Sequence, residues 1–154
     1  MEGLTTGIRS TKIGRYTFHE IGRTWNEARK ACRDDGGHLV TLETTDEWNK
    51  VKDYLKDIMS VAGSFTHYYI GLRRENGTWK WTEGCAEAPV VTVATDDSRW
   101  EKGQPSRYPG EDCAEINAFY RNKYGRFNNV ECNFKYHQST PNTAPRGYIC
   151  EDYF

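Results

Sequence analysis

The sequence predicts an α+β fold in which two helices flank a small antiparallel sheet and a long irregular loop region follows. A hairpin pattern spans Tyr68 to Trp81, two helical patterns precede it, and a mostly unpatterned polar segment follows it. With 154 residues, the chain has the length of one domain and can bury a real core. We therefore expect the hairpin to form the central sheet on which both halves are built.

The hairpin pattern combines an alternating strand with a turn signal. From Tyr68 to Leu72, large aromatic and branched side chains alternate along the chain, which favours a half-buried strand. Asn76-Gly77 predicts a two-residue turn, because both positions tolerate the positive φ that such a turn requires. Beyond the turn, Trp79 and Trp81 fall on one face of a second strand.

The first helix follows a short strand that is predicted at Arg15–His19. Thr24 begins the helix, and Glu27, three residues later, completes a capping box. Gly36-Gly37 ends it, since glycine readily adopts the backbone conformation that terminates helices. Three residues at helical spacing are predicted to form its inner face: Trp25, Ala28 and Cys32.

The second helix repeats this arrangement after a brief extended segment around Val40 and Leu42. Thr44 and Glu47 form a second capping box. An apolar stripe then continues at helical spacing, and it predicts a buried face made of Trp48, Val51, Leu55 and Ile58. Both stripes are typical of a protein core and not of a cofactor site.

The regular patterns fade after the hairpin. Thr82–Asp112 shows little periodicity, and loops of this length are uncommon unless they are functional. A short strand is predicted within it, around Val90–Val93. Three later strands are predicted at Cys113–Ile116, Arg126–Val130 and Gly147–Cys150. Between the last two, Asn133–Arg146 is predicted to be a second surface excursion.

Composition and charge exclude several classes of function. A net charge of -1 without a basic run gives no electrostatic case for a nucleic-acid partner or an anionic membrane. No apolar stretch approaches the length of a transmembrane segment. The four His are scattered, and no Ser or Cys nucleophile sits in a strand-turn-helix motif. Asp96-Asp97 is more typical of a solvated turn than of an acid-base pair. The sequence therefore predicts a protein that is not an enzyme.

The cysteines indicate the compartment. Five are spread along the chain, at positions 32, 85, 113, 132 and 150, with no Cys-x-x-Cys pattern and no nearby His, so disulfides are favoured over a zinc site. Disulfides predict an extracellular protein, either secreted or the ectodomain of a membrane protein. Asn76-Gly77-Thr78 also matches the acceptor pattern for N-glycosylation, although Asn76 has a sufficient alternative role as the turn residue.

The order of these features resembles the C-type lectin-like domain. Two capped helices are followed by Tyr69-Ile70-Gly71-Leu72, which is similar to the family's Trp-Ile-Gly-Leu-type central strand, and then by the last three cysteines. Trp100–Pro105 resembles the approach to the family's binding tripeptide, and Gly110–Cys113 resembles the start of the following strand. The resemblance covers Arg15–Asp152, so residues 15–152 are predicted to be the domain and residues 1–14 an N-terminal tail.

The resemblance implies two disulfides, Cys32–Cys150 and Cys113–Cys132. The first would tie the first helix to the last strand and close almost the whole domain. Cys85 is then left unpaired. It is either a free thiol or a cysteine whose partner lies on another chain or in a longer form of this one.

The resemblance also implies a candidate calcium site. Family members that bind sugars do so through a calcium ion, and the residues here that match its ligands are Gln104, Ser106, Glu111, Asn128 and Asn129. Calcium usually takes about six to eight oxygen ligands, and carboxylates supply most of the attraction. Glu111 is the only carboxylate of the five, because Ser106 replaces an Asn or Asp and Asn129 replaces an Asp.

We therefore expect calcium binding to be weak or absent. Losing one anion beside a divalent cation removes a Coulomb energy of several kcal/mol at an effective dielectric constant of about 20. Asp112 or Glu115 could compensate, although alternation along a strand turns neighbours to opposite sides. Pro105 would still support the cis bond that the family uses after Gln104. The sequence assigns no certain cofactor, and calcium is the candidate.

The predicted function is extracellular recognition of a protein or other surface ligand, with weak or no calcium dependence. The binding face is expected on Thr82–Asp112 and the neighbouring Asn133–Arg146 excursion, with Arg107 and Tyr108 near its centre, because Tyr and Arg are enriched at interface hot spots. The alternative is a calcium-dependent lectin that binds carbohydrate. Gln104-Pro105 resembles the galactose-type variant of that site.

Overall fold

The computed structural model describes residues 9–62, 67–83, 90–118, 124–134, 136–138 and 143–153. These ranges contain two helices, α1 (Trp25–Asp34) and α2 (Thr45–Ala62). They also contain ten strands: β1 (Arg9–Ile13), β2 (Tyr16–Glu20), β3 (Gly37–Leu39), β4 (His67–Glu75), β5 (Thr78–Trp81), β6 (Thr92–Val93), β7 (Cys113–Asn117), β8 (Phe127–Val130), β9 (Tyr136–Gln138) and β10 (Thr143–Asp152). The predicted α+β class is confirmed.

The strands form a mixed sheet around β4 and β10. The principal strand order is β1-β2-β10-β4-β5-β6, and β7 pairs with both β4 and β8. One detail of the prediction is corrected, since the sheet is not purely antiparallel: β10 runs parallel to β4, with Gly147 opposite Tyr68. Parallel pairing needs a long crossover connection, and the chain between β4 and β10 is long enough to provide it.

The predicted hairpin is confirmed at β4 and β5. Glu75 pairs with Thr78 across the turn, and the two turn residues have positive φ values of 52° for Asn76 and 79° for Gly77. Both φ signs agree with the tight turn that Asn-Gly favours, because its twist matches that of the strands. The predicted half-burial of the first strand is wrong, since residues 67–72 are buried throughout.

Two hydrophobic clusters explain why β4 is buried on both faces. The larger cluster combines the α2 stripe with Tyr68, Ile70 and Leu72 of β4. The smaller cluster combines the inner face of α1 with Tyr69 of β4 and Tyr148 of β10. Because side chains alternate along a strand, each face of β4 contributes to a different cluster. Both predicted helical stripes are buried, as expected.

Both helix starts follow the predicted capping boxes. In α1, the backbone N–H of Glu27 donates to Thr24 Oγ1 at 3.2 Å, and the N–H of Thr24 donates to the Glu27 carboxylate at 2.9 Å. In α2, the corresponding bonds join Thr44 and Glu47 at 3.0 and 3.1 Å. These bonds satisfy backbone donors that have no partner inside the helix. Neither helix combines the length and apolar content needed to cross a bilayer.

The central strand β4 requires a glycine at position 71, because the backbone of residues 39–40 passes close to it. The N–H of Gly71 donates to the Val40 carbonyl at 2.8 Å. A Cβ atom at position 71 would lie 2.9 Å from that same oxygen and 3.0 Å from the Leu39 carbonyl. A side chain would therefore push β4 away from the segment that follows β3, and glycine permits the close approach.

The two predicted disulfides are confirmed. Cys32–Cys150 joins α1 to β10 across 118 residues of sequence, and Cys113–Cys132 joins the start of β7 to the residues after β8 across 19. Cys85 lies outside the described residues, so its predicted unpaired state stays a prediction. Disulfides are typical of proteins from oxidising compartments.

Two strands lie where no strand was expected. Residues 9–13, inside the segment predicted as a tail, form β1 and pair with β2 from Arg9–Glu20 to Ile13–Tyr16. Residues 136–138, inside the predicted surface excursion, form β9 and pair with β10. The domain boundary at residue 15 stays a prediction.

Candidate functional site

The loop between β6 and β7 is anchored by buried aromatic rings. Trp100 is 5% exposed, and its ring lies edge-on to Trp79 with a centroid distance of 4.9 Å and to Phe127 at 6.0 Å. The peptide bond between Gln104 and Pro105 is cis, as predicted. Beyond this point the chain turns outward, and Arg107 and Tyr108 are exposed.

Asn129 fastens the outer part of this loop to β8. The backbone N–H of Ser106 donates to Asn129 Oδ1 at 2.7 Å. Asn129 Nδ2 donates in turn to the carbonyls of Ser106 and Glu111, both at 3.0 Å. These partners fix the amide orientation, since only the oxygen can accept and only the nitrogen can donate. With 3% exposure, Asn129 acts as an internal brace of the loop.

Arg74 braces the same loop from β4. Its Nε donates to Asp112 Oδ1 at 2.9 Å, and its terminal nitrogens donate to the carbonyls of Ser106 at 3.3 Å and Tyr108 at 3.0 Å. Sequence reasoning missed this residue. A charged side chain near a hairpin turn is ordinary on a solvated strand end, and nothing local to Arg74 points to a loop more than thirty residues later.

The remaining predicted ligand residues make polar contacts within the protein. The Ser106 hydroxyl donates to the Glu111 carboxylate, and Asn128 Nδ2 donates to Glu115 at 3.1 Å. Gln104 differs, because its side-chain Oε1 is buried without a hydrogen-bond partner among the described residues. The site therefore presents one buried acceptor that a donor or a cation could satisfy.

A buried ion pair lies beside these residues. Arg146 Nε donates to Glu115 Oε1 at 2.6 Å, and the two residues are 1% and 0% exposed. Arg146 Nη1 also donates to the Tyr69 hydroxyl and to the Phe134 carbonyl, both at 3.2 Å. The Tyr69 hydroxyl itself donates to the Phe134 carbonyl at 2.7 Å. This network ties β4, β7 and β10 to the residues after Cys132.

Burial governs the proton equilibria of this network. Burial raises the pKa of Tyr69 to about 12, although the charge of Arg146 and its hydrogen bond oppose the shift. Burial lowers the pKa of Arg146, but its interactions with Glu115 and Tyr69, through charge and hydrogen bonds together, outweigh burial and the net direction is upward. Arg146 therefore stays charged and Tyr69 stays neutral across the physiological pH range.

The predicted site residues are brought together around two adjacent clefts. The first has a volume of about 330 Å³ and is lined by Gln104, Ser106, Tyr108, Glu111, Asn128, Asn129, Val130, Glu131, Phe134 and Arg146. The second, of about 360 Å³, shares Gln104 and Ser106 and is lined also by Arg107, Arg74 and Trp79. We call the first the loop cleft. Tyr108, 71% exposed, stands at its rim.

The donor set fits a tight calcium site poorly. Glu111 is the one carboxylate among the matched positions, and a carboxylate oxygen of Glu111 already accepts a hydrogen bond from Ser106. Asn129 uses its amide to brace the loop. The described part of the chain holds no group of three or more acidic, His or Cys side chains suited to a metal ion. Of the candidate ligands, Gln104 offers a buried oxygen that has no hydrogen-bond partner among the described residues.

The carboxylates that could compensate are engaged with arginines. Asp112 lies 2.8 Å from Arg74 Nη2, and Glu115 is paired with Arg146. Glu115 is also fully buried, in a strand whose residues are buried throughout. Neither carboxylate therefore adds an uncompensated negative charge to the site.

Comparison with known proteins agrees with this fold. A family model described as the Lectin C-type domain matches residues 21–151. The chain is 33% identical over 128 residues to C-type lectin domain family 10 member A of Homo sapiens, covering 79% of this chain but 34% of that protein. It is 28% identical over 147 residues to a perlucin-like protein of Mytilus galloprovincialis, covering 94% of this chain and 80% of that protein.

A solved structure supports the fold assignment. The carbohydrate-recognition domain of the mouse scavenger receptor C-type lectin superposes with a TM-score of 0.60 at 23% identity, covering 93% of this chain and 92% of that one. The two disulfides, the helix pair and the mixed sheet are thus placed in a known architecture. Because the family model spans most of the sequence, the chain belongs to the C-type lectin domain family.

Proposed function

We propose that this domain is an extracellular, non-enzymatic recognition module whose loop cleft binds a protein or another extended surface ligand, with weak or no calcium dependence. The family to which it belongs consists generally of binding domains. The observation that carries the proposal is the brace formed by Asn129, which holds Ser106 and Glu111 through three hydrogen bonds inside the protein. A loop held in this way does not require a cation to keep its shape.

The electrostatics of the loop cleft favour the same conclusion. Two carboxylates line this cleft, those of Glu111 and the exposed Glu131, and the guanidinium of Arg146 lines it as well. Arg146 is neutralised by Glu115, so the pair contributes little net attraction for a divalent cation. The guanidinium of Arg146 therefore already supplies a positive charge beside the loop cleft.

The rim of the site carries the residues suited to a protein surface. Arg107 and Tyr108 are both exposed, Tyr108 to 71%. Their backbone is held by Arg74, which donates to the carbonyls of Ser106 and Tyr108. An ordered backbone removes one part of the entropy cost of binding, and Tyr and Arg are the residue types that dominate interface hot spots.

Calcium-dependent carbohydrate binding is the second candidate, and one observation favours it. The Gln104-Pro105 cis bond is present, and Gln104 Oε1 is buried without a partner among the described residues. Such an oxygen suits either a cation or a sugar hydroxyl. The solved relative named above is a carbohydrate-recognition domain, so this candidate has to be tested directly.

Calcium is expected to change the thermal stability little. A site with a dissociation constant of about 1 mM would contribute only about 0.4 kcal/mol at 1 mM calcium. For a domain of this size, that corresponds to a rise in Tm of about 1 °C. Differential scanning calorimetry in 1 mM calcium, 1 mM magnesium or excess chelator measures this. A rise of 5 °C or more that magnesium does not produce and chelator reverses would restore the calcium-dependent lectin as the leading function.

Substitutions at the rim and in the cleft should separate the two candidate functions. We expect Arg107→Ala/Tyr108→Ala to weaken binding at least tenfold, because it removes both exposed hot-spot side chains. We expect Glu111→Ala/Asn128→Ala, which removes two of the family's calcium ligands, to weaken binding less than threefold. Lys102→Ala, in the same loop and also exposed, is the matched control.

The measurement uses arrays of extracellular proteins and glycans, with and without calcium. Circular dichroism and thermal melts first establish that each variant folds. Loss of binding in the Glu111→Ala/Asn128→Ala variant alone, together with competition by free galactose, would contradict the protein-ligand proposal and support the sugar-binding lectin.

A further inference from the structure

A second surface is formed by α2 and the turn before β8, and none of its residues lines the loop cleft. Lys52 Nζ lies 3.7 Å from the ring centroid of Trp48, and the guanidinium carbon of Arg126 lies 5.4 Å from the same centroid. Lys56 Nζ lies 5.9 Å from the ring of Tyr124. We call Lys52, Lys56 and Arg126 the cation cluster.

The cation cluster has an unbalanced positive charge. Among the described residues, the cluster's cations make their close contacts with aromatic rings and a backbone carbonyl and form no salt bridge with a carboxylate. Asp53 and Asp57 are the acidic neighbours on α2, and Asp57 has a further interaction of its own. Burial lowers the pKa of Lys52, and the charges of Arg126 and Lys56 lower it further while Asp53 opposes them. A bound anion would relieve this repulsion.

The cluster is also held in place before any ligand arrives. The Tyr124 hydroxyl donates to the Lys52 carbonyl, and Trp48 Nε1 donates to the Gly125 carbonyl at 2.6 Å. The stem of Lys52 fills the space over Gly125, where an added Cβ would lie 2.2 Å from Lys52 Cδ. Arg126 Nη1 donates to the Ser98 carbonyl. Because Lys52 and Arg126 are already held by these contacts, an anion would bind them with little further loss of side-chain entropy.

We propose that the cation cluster is a second binding site, which takes the sulfate groups of a polysaccharide chain. Sulfate esters stay ionised at every physiological pH, and guanidinium and ammonium groups bind oxyanions through charge-assisted hydrogen bonds. The exposed Lys56 and the partly buried Lys52 and Arg126 present both kinds of donor to solvent.

The surroundings favour a soluble polyanion over a membrane. Membrane-surface sites usually combine cations with exposed apolar side chains that insert between lipids. The exposed large hydrophobic residues among the described side chains are Val90, Val91, Tyr108 and Tyr153, and none lies in residues 45–58 of α2 or in residues 124–126. Trp48 and Tyr124 serve instead as packing surfaces for the cations.

The test uses heparin as the probe. The wild-type domain should bind immobilised heparin, and Lys56→Gln/Arg126→Gln should bind about tenfold more weakly. By polyelectrolyte reasoning, the slope of log affinity against log salt concentration should also fall by about two. The control is Lys50→Gln/Lys102→Gln, which removes the same charge from two exposed lysines outside the cluster and should leave affinity within twofold.

A second measurement needs no substitution. Heparin should protect Lys52 and Lys56 of the wild-type protein from acetylation at least fivefold, and it should leave Lys50 unprotected. Unsulfated dextran, inorganic sulfate and vesicles with 20% phosphatidylserine complete the comparison. The proposal is overturned if heparin does not bind, if both double variants weaken binding equally, if the two lysines stay unprotected, or if the vesicles bind as tightly as heparin.

Discussion

Replacing Arg146 with Met is expected to destabilise the domain by about 3–5 kcal/mol, because it removes the guanidinium that pairs with the fully buried Glu115. The substitution also removes donors from the Tyr69 hydroxyl and the Phe134 carbonyl. The free energy of unfolding of natural domains is about 5–15 kcal/mol, so the expected loss is a large fraction of the domain's stability. Urea unfolding at pH 7, followed by Trp fluorescence, measures it.

The controls separate an orphaned charge from lost packing. Glu115→Gln/Arg146→Met removes both charges, so we expect it to be more stable than Arg146→Met alone. Lys12→Met breaks an exposed pair with Asp152, in which the lysine side chain is 54% exposed, and should cost less than about 1 kcal/mol. If the free energy of unfolding of Arg146→Met lies within about 1 kcal/mol of the wild-type value, the buried pair does not support the fold.

Local signals explain why the helices and the hairpin were predictable. Thr24 with Glu27 and Thr44 with Glu47 place both helix starts through contacts between residues three apart. Asn76-Gly77 sets the turn through its own backbone preferences. Each of these interactions is complete within a few residues of sequence, so the pattern contains all of its physical causes.

The burial of β4 required information from outside the strand. Alternation in a single strand indicates one apolar face, and Gly71 and Tyr69 gave no sign of a second covering layer. Tyr69 is buried because α1 and β10 supply a separate cluster around it. β1 and β9 likewise form because they pair with β2 and β10, and the local sequences of β1 and β9 do not indicate these pairings.

The candidate site was predictable in its positions but not in its connections. The order of motifs indicated Gln104, Glu111 and Asn129, and the structure gathers these residues around one cleft. The bonds from Arg74 to Asp112 and from Arg146 to Glu115 span 38 and 31 residues of sequence. A buried charge is uncommon, and no local pattern identifies its partner.

The pairing of the cysteines was likewise not determined by the local sequence. Five cysteines alone left the pairing open, and it was the resemblance to a family that selected Cys32–Cys150 and Cys113–Cys132. The two bridges close loops of very different size, since their sequence separations are 118 and 19 residues. In the chain-entropy model, the longer loop restricts the unfolded chain more.

Removing Cys32–Cys150 is therefore expected to cost about 5 kcal/mol, and removing Cys113–Cys132 about 3 kcal/mol, from the loop lengths alone. The variants are Cys32→Ala/Cys150→Ala and Cys113→Ala/Cys132→Ala, each compared in a Cys85→Ser background so that no third thiol can exchange. Urea unfolding gives the two losses. Removing Cys113–Cys132 should weaken ligand binding more than removing Cys32–Cys150 does. Cys132 lies just before Phe134, which lines the loop cleft. Equal losses of stability, or a larger loss for the shorter loop, would show that local packing and not chain entropy determines what these bridges contribute.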